Sequence, residues 1–466
     1  MTPLETVLQT YTFPPNIKVI HPIQVECINE MALLQNSGSW LEMSTGKTLI
    51  SSAIGLFLKI SENRKCIVVM PPVLVPQWGR WLRGFSPALK VVEYKGTPKQ
   101  RAALDLDCDF LLIGVQIFKK DYERLVEFYE HQPYCVVIDE ATMVANCDSE
   151  NHRLTHEFCV GNPTQVLSGT PMNKVMDVYG LVKYSAPGTY RNMRHFENMH
   201  VEERDFFKQP CKFMQLDVLA DNLAKNSKRV LFSDMYPEVE DPLIVPLDYD
   251  LAPEHYKLYR QLAEEELLKM PDGSKIDATS ANALRHALGQ VIVNWDYFSG
   301  DPSKQSQAVD IIKQKLSELG DGKLIVFANY KRTAAKLKAD LAEYGAVVIN
   351  GEVTAANKER NIQAFIGDPA CRVAVIQFVS GGKGLDGFQH VCHNVLFIEP
   401  CLQPRDFWQC VFRVQRLGQQ KKVVVMMATA LGTTQVRGFR QLIANDELVN
   451  QIVRNKNDLA DMVFGR

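Results

Sequence analysis

Glycine, lysine and threonine stand in succession at Gly46-Lys47-Thr48, directly ahead of a helix-like apolar stretch running from Thr48 to Ile60. A bound phosphate needs backbone N–H groups converging at a helix N-terminus. Gly46 allows close backbone approach. Lys47 can reach the β- and γ-phosphates of a nucleoside triphosphate, and the Thr48 hydroxyl can hold Mg²⁺. The surrounding loop is Leu41-Glu42-Met43-Ser44-Thr45-Gly46-Lys47-Thr48, so a leucine stands where the G-x-x-x-x-G-K-T pattern opens with glycine. Taken alone, the tripeptide fits a plain strand–helix turn as well as it fits a phosphate site.

Two further groups carry the complementary chemistry. Val136-Val137-Ile138 delivers Asp139 and Glu140 at the end of an apolar run, where ligands of open α/β sheets sit. Asp139 suits the outer shell of Mg²⁺, and Glu140 suits a base that polarises an attacking water. In isolation the pair also fits a strand ending in a solvated acidic turn. Arg413 and Arg416 are three apart, so on a helix they share a face. Phosphoryl transfer needs its developing charge neutralised, and arginines from a separate domain can supply that. The spacing alone equally suits a solvated helix face.

The elements that must position these groups follow a βα rhythm. Residues 66–70, 110–113, 135–138 and 165–167 are short, nearly continuous apolar runs, as in parallel strands covered on both faces. Residues 324–327, 346–349, 373–376, 395–398 and 423–426 repeat the pattern. The expected fold is α/β, with two sheets in tandem. Residues from 190 to 310 are richer in charge and helix formers, and prolines 237, 242 and 246 mark a linker near residues 235–245.

In order along the chain, these motifs resemble those of superfamily 2 helicases and translocases, and among them the Swi2/Snf2-type ATPases. Glu42 to Thr48 is similar to D-E-M-G-x-G-K-T, and Asp139-Glu140-Ala141-Thr142 to the D-E-A-H box, with threonine in the histidine's place. Leu167-Ser168-Gly169-Thr170-Pro171-Met172 resembles L-T-G-T-P, and Val68 to Trp78 resembles the segment laid along the nucleic-acid strand. Ser380-Gly381-Gly382-Lys383-Gly384-Leu385-Asp386 is similar to G-G-x-G-L-N, and Gln409 to Gln419 to Q-x-x-x-R-x-x-R-x-G-Q.

The resemblance implies two RecA-like parallel-sheet lobes, residues 1–235 and 236–466, with a helical insertion at about 250–315. It implies ATP and Mg²⁺ as cofactors. Lys47, Asp139, Glu140, Gln409, Arg413 and Arg416 become the catalytic candidates. Gln24, Met43, Ser44, Thr45, Gly46, Lys47, Thr48, Gly384 and Asp386 become the nucleotide contacts, Gln24 as the glutamine that reads adenine. Thr48 and Asp139 are the metal candidates. Pro71, Gly114, Ser380 and Gly381 are the expected contacts to a nucleic-acid backbone.

Composition bounds the rest. Fifty-two basic against 54 acidic residues give a net charge of −2, so global charge offers no sign of a nucleic-acid partner. Locally the balance differs: between Cys401 and Arg440 seven residues are basic and one is acidic. Hydrophobic residues at 46% and charged residues at 23% exclude a disordered or collagen-like chain. Eleven scattered cysteines without a C-x-x-C pair suit a reducing compartment. No apolar run reaches membrane-spanning length and no secretory signal stands at Met1, so a soluble intracellular protein without membrane partners is expected. His152 and His156 lack further ligands for a metal. Trp295, Tyr297 and Phe298 fit a small core better than a strand-separating wedge or a base-stacking platform.

The expected activity is an ATP-dependent DNA helicase or translocase, a monomeric motor in the cytoplasm of a bacterium or an infected host cell. Its economy is similar to that of compact phage branch-migration helicases, which implies single-stranded, forked or branched DNA in replication, recombination or repair. A duplex remodelling translocase without strand separation, an RNA helicase and a non-catalytic clamp remain as alternatives.

Overall fold

The computed structural model describes residues 1–15, 17, 19–269, 275–378, 387–453 and 459–464. The chain divides into two compact units, built chiefly on Met1–Pro237 and Glu238–Glu447.

In the first unit, helices α1 (Pro3–Thr10) and α2 (Pro22–Met31) precede β1 (Asn36–Leu41) and α3 (Lys47–Glu62). Then come β2 (Lys65–Met70), β3 (Val91–Tyr94), β4 (Phe110–Gly114), β5 (Tyr134–Ile138) and β6 (Thr164–Leu167). An antiparallel pair, β7 (Val201–Arg204) and β8 (Pro210–Phe213), precedes β9 (Ser227–Val230). Seven of these strands form one sheet in the order β3-β4-β2-β5-β6-β1-β9, all parallel. Alternate residues serve opposite faces: Ile67 and Val69 of β2 join one core, Cys66, Val68 and Met70 the other. That is why the strands read as unbroken apolar runs rather than as alternations.

β1 is the exception. It carries Asn36-Ser37-Gly38-Ser39 before Trp40 and Leu41, and a Cβ on Gly38 would fall 2.4 Å from the Ser227 hydroxyl and 2.5 Å from the Trp40 ring. Small side chains let this strand sit between β6 and β9, at the price of an apolar signature.

The second unit contains β10 (Leu243–Tyr249), the short antiparallel pair β11 (Leu267–Lys269) and β12 (Lys275–Asp277), β13 (Leu324–Ala328), β14 (Val347–Ile349), β15 (Val373–Gln377), β16 (Asn394–Phe397) and β17 (Val424–Ala430). Its six-stranded sheet runs β10-β17-β16-β13-β15-β14, again all parallel and covered on both faces. The stretch read as a linker ends in edge strand β10, where Pro246 is tolerated because an edge strand has one side without ladder bonds. Between β10 and β13 lie helices Pro253–Glu265, Ala281–Val293, Trp295–Ser299 and Gln307–Glu318. Trp295 and Phe298 are buried there, Trp295 stacked on His255 at 4.7 Å, while Tyr297 is exposed beneath the Arg332 guanidinium. Among the described residues no helix is long and apolar enough to cross a membrane.

Candidate active site

Parallel strands place all their C-terminal ends along one edge of a sheet. Across the first sheet that edge presents, in order, Gly114 from β4, Pro71 after β2, Asp139 after β5, Ser168 after β6, and Glu42 after β1. The phosphate loop and the acidic pair therefore flank the Ser168–Thr170 loop, and Pro71 and Gly114 lie to one side. A Cβ on Gly114 would stand 2.9 Å from the Pro72 ring, so these two strand ends are in close contact.

The loop from Glu42 to Gly46 turns through left-handed backbone at Ser44 (φ 67°) and Gly46 (φ 92°). Gly46 is required twice over, by its φ and by a Gln24 amide nitrogen 2.3 Å from where a Cβ would be. Lys47 opens α3, with Thr48 next. Its ammonium donates to the Leu41 carbonyl at 2.8 Å and the Glu42 carbonyl at 3.1 Å. Burial pulls the Lys47 ammonium below its ordinary pKa, opposed first by Glu140 and Asp139. The Thr45 hydroxyl donates to the Glu42 carbonyl at 2.7 Å. Met43 lies beneath Gly169, whose Cβ would also fall 3.2 Å from the Lys47 ammonium. The hydroxyls of Ser44 and Thr170 are buried and make no hydrogen bond among the described residues. Two unspent hydroxyls beside a cation held only by carbonyls fit a phosphate-bearing ligand.

Asp139 is buried. Its carboxylate accepts from the Trp78 indole N–H and from the Glu140 backbone N–H, each at 2.9 Å. Burial, reinforced by the charge of Glu140, raises the Asp139 pKa; Trp78 and Lys47 work against that rise. Glu140 sits in left-handed backbone at φ 54°, an uncommon conformation for a non-glycine residue and one that recurs at functional sites.

Gln24 is committed within its own lobe. Its amide nitrogen donates to the Thr45 carbonyl at 2.9 Å and its oxygen accepts from the His21 N–H at 3.1 Å, so it caps α2 and braces the loop. Two participants escaped the sequence reading. Trp78 orients Asp139, and Arg229 of β9 donates to the Trp40 carbonyl at 2.8 Å while pairing with Glu42 at 3.2 Å. Glu42 in turn accepts from the Phe232 N–H at 2.8 Å, which ties β9 to the phosphate loop. An isolated arginine in Ser227-Lys228-Arg229-Val230 gives no motif from which to infer this.

In the second unit, Gln409 lies on helix Pro404–Val411, but Arg413 and Arg416 do not share a helix face. The helix ends at Val411, and Arg413 and Arg416 stand in the tight turns after it. The β-branched Val411 and Val414 are fully buried, and Gly418 at φ 95° reverses the chain. Gln419 fixes the turn, donating to the Cys392 carbonyl at 3.0 Å and the Val414 carbonyl at 3.3 Å. Both arginines are half-buried. Ser380, Gly381, Gly384 and Asp386 lie outside the described residues.

The second sheet's edge holds Glu399, just beyond β16 and almost fully buried. Its carboxylate accepts from the backbone N–H groups of Asn329 at 2.6 Å and Tyr330 at 3.1 Å and from the Thr333 hydroxyl at 2.6 Å. Burial pushes the Glu399 carboxyl up to about 7 in spite of these bonds. His152 is a core residue, its ring 2.7 Å from the Val144 carbonyl and stacked on His156. No group of side chains able to hold a metal ion on its own occurs among the described residues.

Residues 26–291 match the SNF2-related domain family, and residues 306–418 match the helicase conserved C-terminal domain. A Mycoplasma pneumoniae protein named "uncharacterized ATP-dependent helicase" is 23% identical over 423 residues, covering 88% of this chain and 39% of the relative. Bacillus subtilis "uncharacterized ATP-dependent helicase YqhH" is 23% identical over 486 residues, covering 96% and 80%. The chain spans 39% of the length of its relatives from Mycoplasma pneumoniae and Mycoplasma genitalium. Among solved structures, the Sulfolobus solfataricus SWI2/SNF2 ATPase core in complex with dsDNA aligns with 95% of this chain and 94% of its own, at 19% identity and a TM-score of 0.45.

Proposed function

Since the chain belongs to the SNF2-related family, we propose that it is an ATP-dependent nucleic-acid translocase that hydrolyses ATP at the edge of its first sheet. The observation that carries this reading is the gathering of Lys47, the Asp139–Glu140 pair and the Ser168–Thr170 loop at adjacent parallel strand ends. Lys47 exchanges its two carbonyl partners for phosphate oxygens, and the α3 N-terminus and the Ser44 and Thr170 hydroxyls add neutral donors. Thr48 and Asp139 would hold Mg²⁺, which supplies charge neutralisation at the phosphates. Glu140, held by its constrained backbone, orients the attacking water and takes up its proton. Arg413 and Arg416 act as arginine fingers, with Gln409 beside them in the same motif.

The substrate proposed is DNA, with forked or branched structures preferred, RNA disfavoured, and a soluble intracellular monomer as the working form. Pro71 and Gly114, adjoining strand ends away from the phosphate loop, are proposed backbone contacts, together with Ser380 and Gly381. Gly384 and Asp386 are proposed nucleotide contacts, and Gln24 is proposed to act on the nucleotide site through the loop it braces.

The test compares ATP hydrolysis and strand separation on single-stranded DNA, blunt duplex, fork, four-way junction and RNA. The expected result is stimulation by DNA with separation of forks. Stimulation by blunt duplex without separation assigns a remodelling translocase instead, and stimulation by RNA alone overturns the DNA assignment.

A further inference from the structure

The β7–β8 hairpin of the first unit carries two of the most exposed large apolar side chains among the described residues. Its strands are short and largely exposed, and its most exposed apolar residues stand at the tip, where Phe206 is 94% exposed and Phe207 77% exposed. The two rings stand edge to face at 5.4 Å. A hairpin that served only the fold would turn its aromatic residues inward, because two phenylalanines left in water forgo the burial that normally stabilises them.

The tip is held in shape. The Asp205 N–H donates to the Gln209 carbonyl and the Gln209 N–H returns to the Asp205 carboxylate, each at 2.8 Å. The Lys208 N–H donates to the Asp205 carbonyl at 2.9 Å, and the Arg204 guanidinium donates to the Lys208 carbonyl at 2.8 Å. Lys208 adopts φ 60°, which closes the loop behind the rings. At the base, buried His200 contacts the Tyr190 hydroxyl at 2.9 Å and Asn222 donates to that same hydroxyl at 2.9 Å, while next to the tip Arg204 also pairs with Glu197 at 2.8 Å. The rings are thus presented on a braced support rather than on a loose loop.

Charge at the tip favours one class of ligand. Asp205 is engaged with Gln209, and Lys212 is engaged with Glu202 and Glu203. Lys208, beside the rings, pairs with no carboxylate among the described residues. The tip therefore offers two aromatic faces and one cation without a carboxylate partner, while its single carboxylate is engaged by the Gln209 N–H. Aromatic faces next to a cation match a stacked base with its phosphate.

We propose that the tip of this hairpin is a base-stacking site for unpaired nucleotides, with Phe206 and Phe207 taking the base and Lys208 the adjoining phosphate. This rests on the translocase reading for its biological setting, but not for its chemistry. It also reassigns the base-stacking role considered for Trp295, Tyr297 and Phe298, two of which are buried.

The experiment titrates the full chain, without nucleotide, into a fork and a single strand carrying 2-aminopurine at an unpaired position, alongside blunt duplex. The wild-type protein changes the 2-aminopurine fluorescence on binding. The F206A/F207A variant loses that change and binds the fork and single strand about tenfold more weakly. It keeps its melting temperature, and its duplex affinity stays within about twofold. F206Y/F207Y restores stacking, whereas F206L/F207L, equally apolar but without rings, does not. Wild-type fluorescence and affinity in the alanine variant overturn the proposal, as does rescue by leucine, which would show that apolar bulk at the tip suffices without ring stacking. A wild-type protein without nucleic-acid-stimulated ATPase defeats the translocase reading, while this titration still decides the hairpin.

Discussion

At the edge of the first sheet Lys47 is held by two backbone carbonyls, with two buried hydroxyls nearby left unspent. At the edge of the second, Glu399 is buried with three donors from its own chain arranged around it. Both sheets are parallel throughout and covered on both faces, so the scaffold does not explain the contrast. The difference lies in how each edge spends its charge. Carbonyl partners can be exchanged for phosphate, whereas the Glu399 donors fasten the Asn329–Thr333 segment to β16. On the proposed reading, the first edge is the ligand site because its charged group has replaceable partners, and the second edge is structural because its charged group does not.

Substitutions sharpen this contrast. Lys47→Ala is expected to lower kcat for ATP by about 10³-fold or more while leaving thermal unfolding nearly unchanged. Wild-type turnover in a steady-state assay would remove the first edge as the site. Arg416→Ala is expected to lose about 10³-fold in kcat with nucleic-acid binding intact in the absence of nucleotide. A normal kcat would leave the turn after Val411 as a structural feature alone. Glu140→Gln should cost about 10²-fold or more in hydrolysis and retain nucleotide binding, read by equilibrium titration with a fluorescent ATP analogue.

The smallest effect is on stability at the second edge. The carboxyl of Glu399 titrates at about 7 in the folded chain against an ordinary 4.5, so the folded chain holds a proton that the unfolded chain gives up. Its contribution is complete below about pH 4.5 and is lost as pH rises towards 7. Glu399→Gln, which cannot ionise, should flatten the decline in the urea midpoint across that interval and leave kcat unchanged. An unaltered slope would show that another group sets it.

Much of the fold was legible because burial on both faces writes itself as apolar runs. Val68, Leu112, Val137, Val326 and Val375 all lie in strands read directly from such runs. β1 and β9 were not legible, since Ser37, Gly38 and Ser39 are small for close packing and Arg229 is drawn in by Glu42. The residues of the first edge were named from an ordered set of motifs that resembles those of a family, and the structure gathers Lys47, Asp139, Glu140 and the Ser168–Thr170 loop at adjacent strand ends. Trp78 and Arg229 could not be named in this way, because partners brought together by sheet order share no spacing in sequence. The helix expected through Arg413 and Arg416 failed for a related reason: burial of Val414 and the turn at Gly418 outweigh a three-residue spacing.

The most direct test of the central claim is the ATPase rate of the wild-type protein and Lys47→Ala across a titration of duplex and forked DNA. Hydrolysis is predicted to rise with DNA in the wild type and to stay about 10³-fold or more lower in the variant at every concentration. A rate that ignores DNA, or one that survives the loss of Lys47, would contradict it.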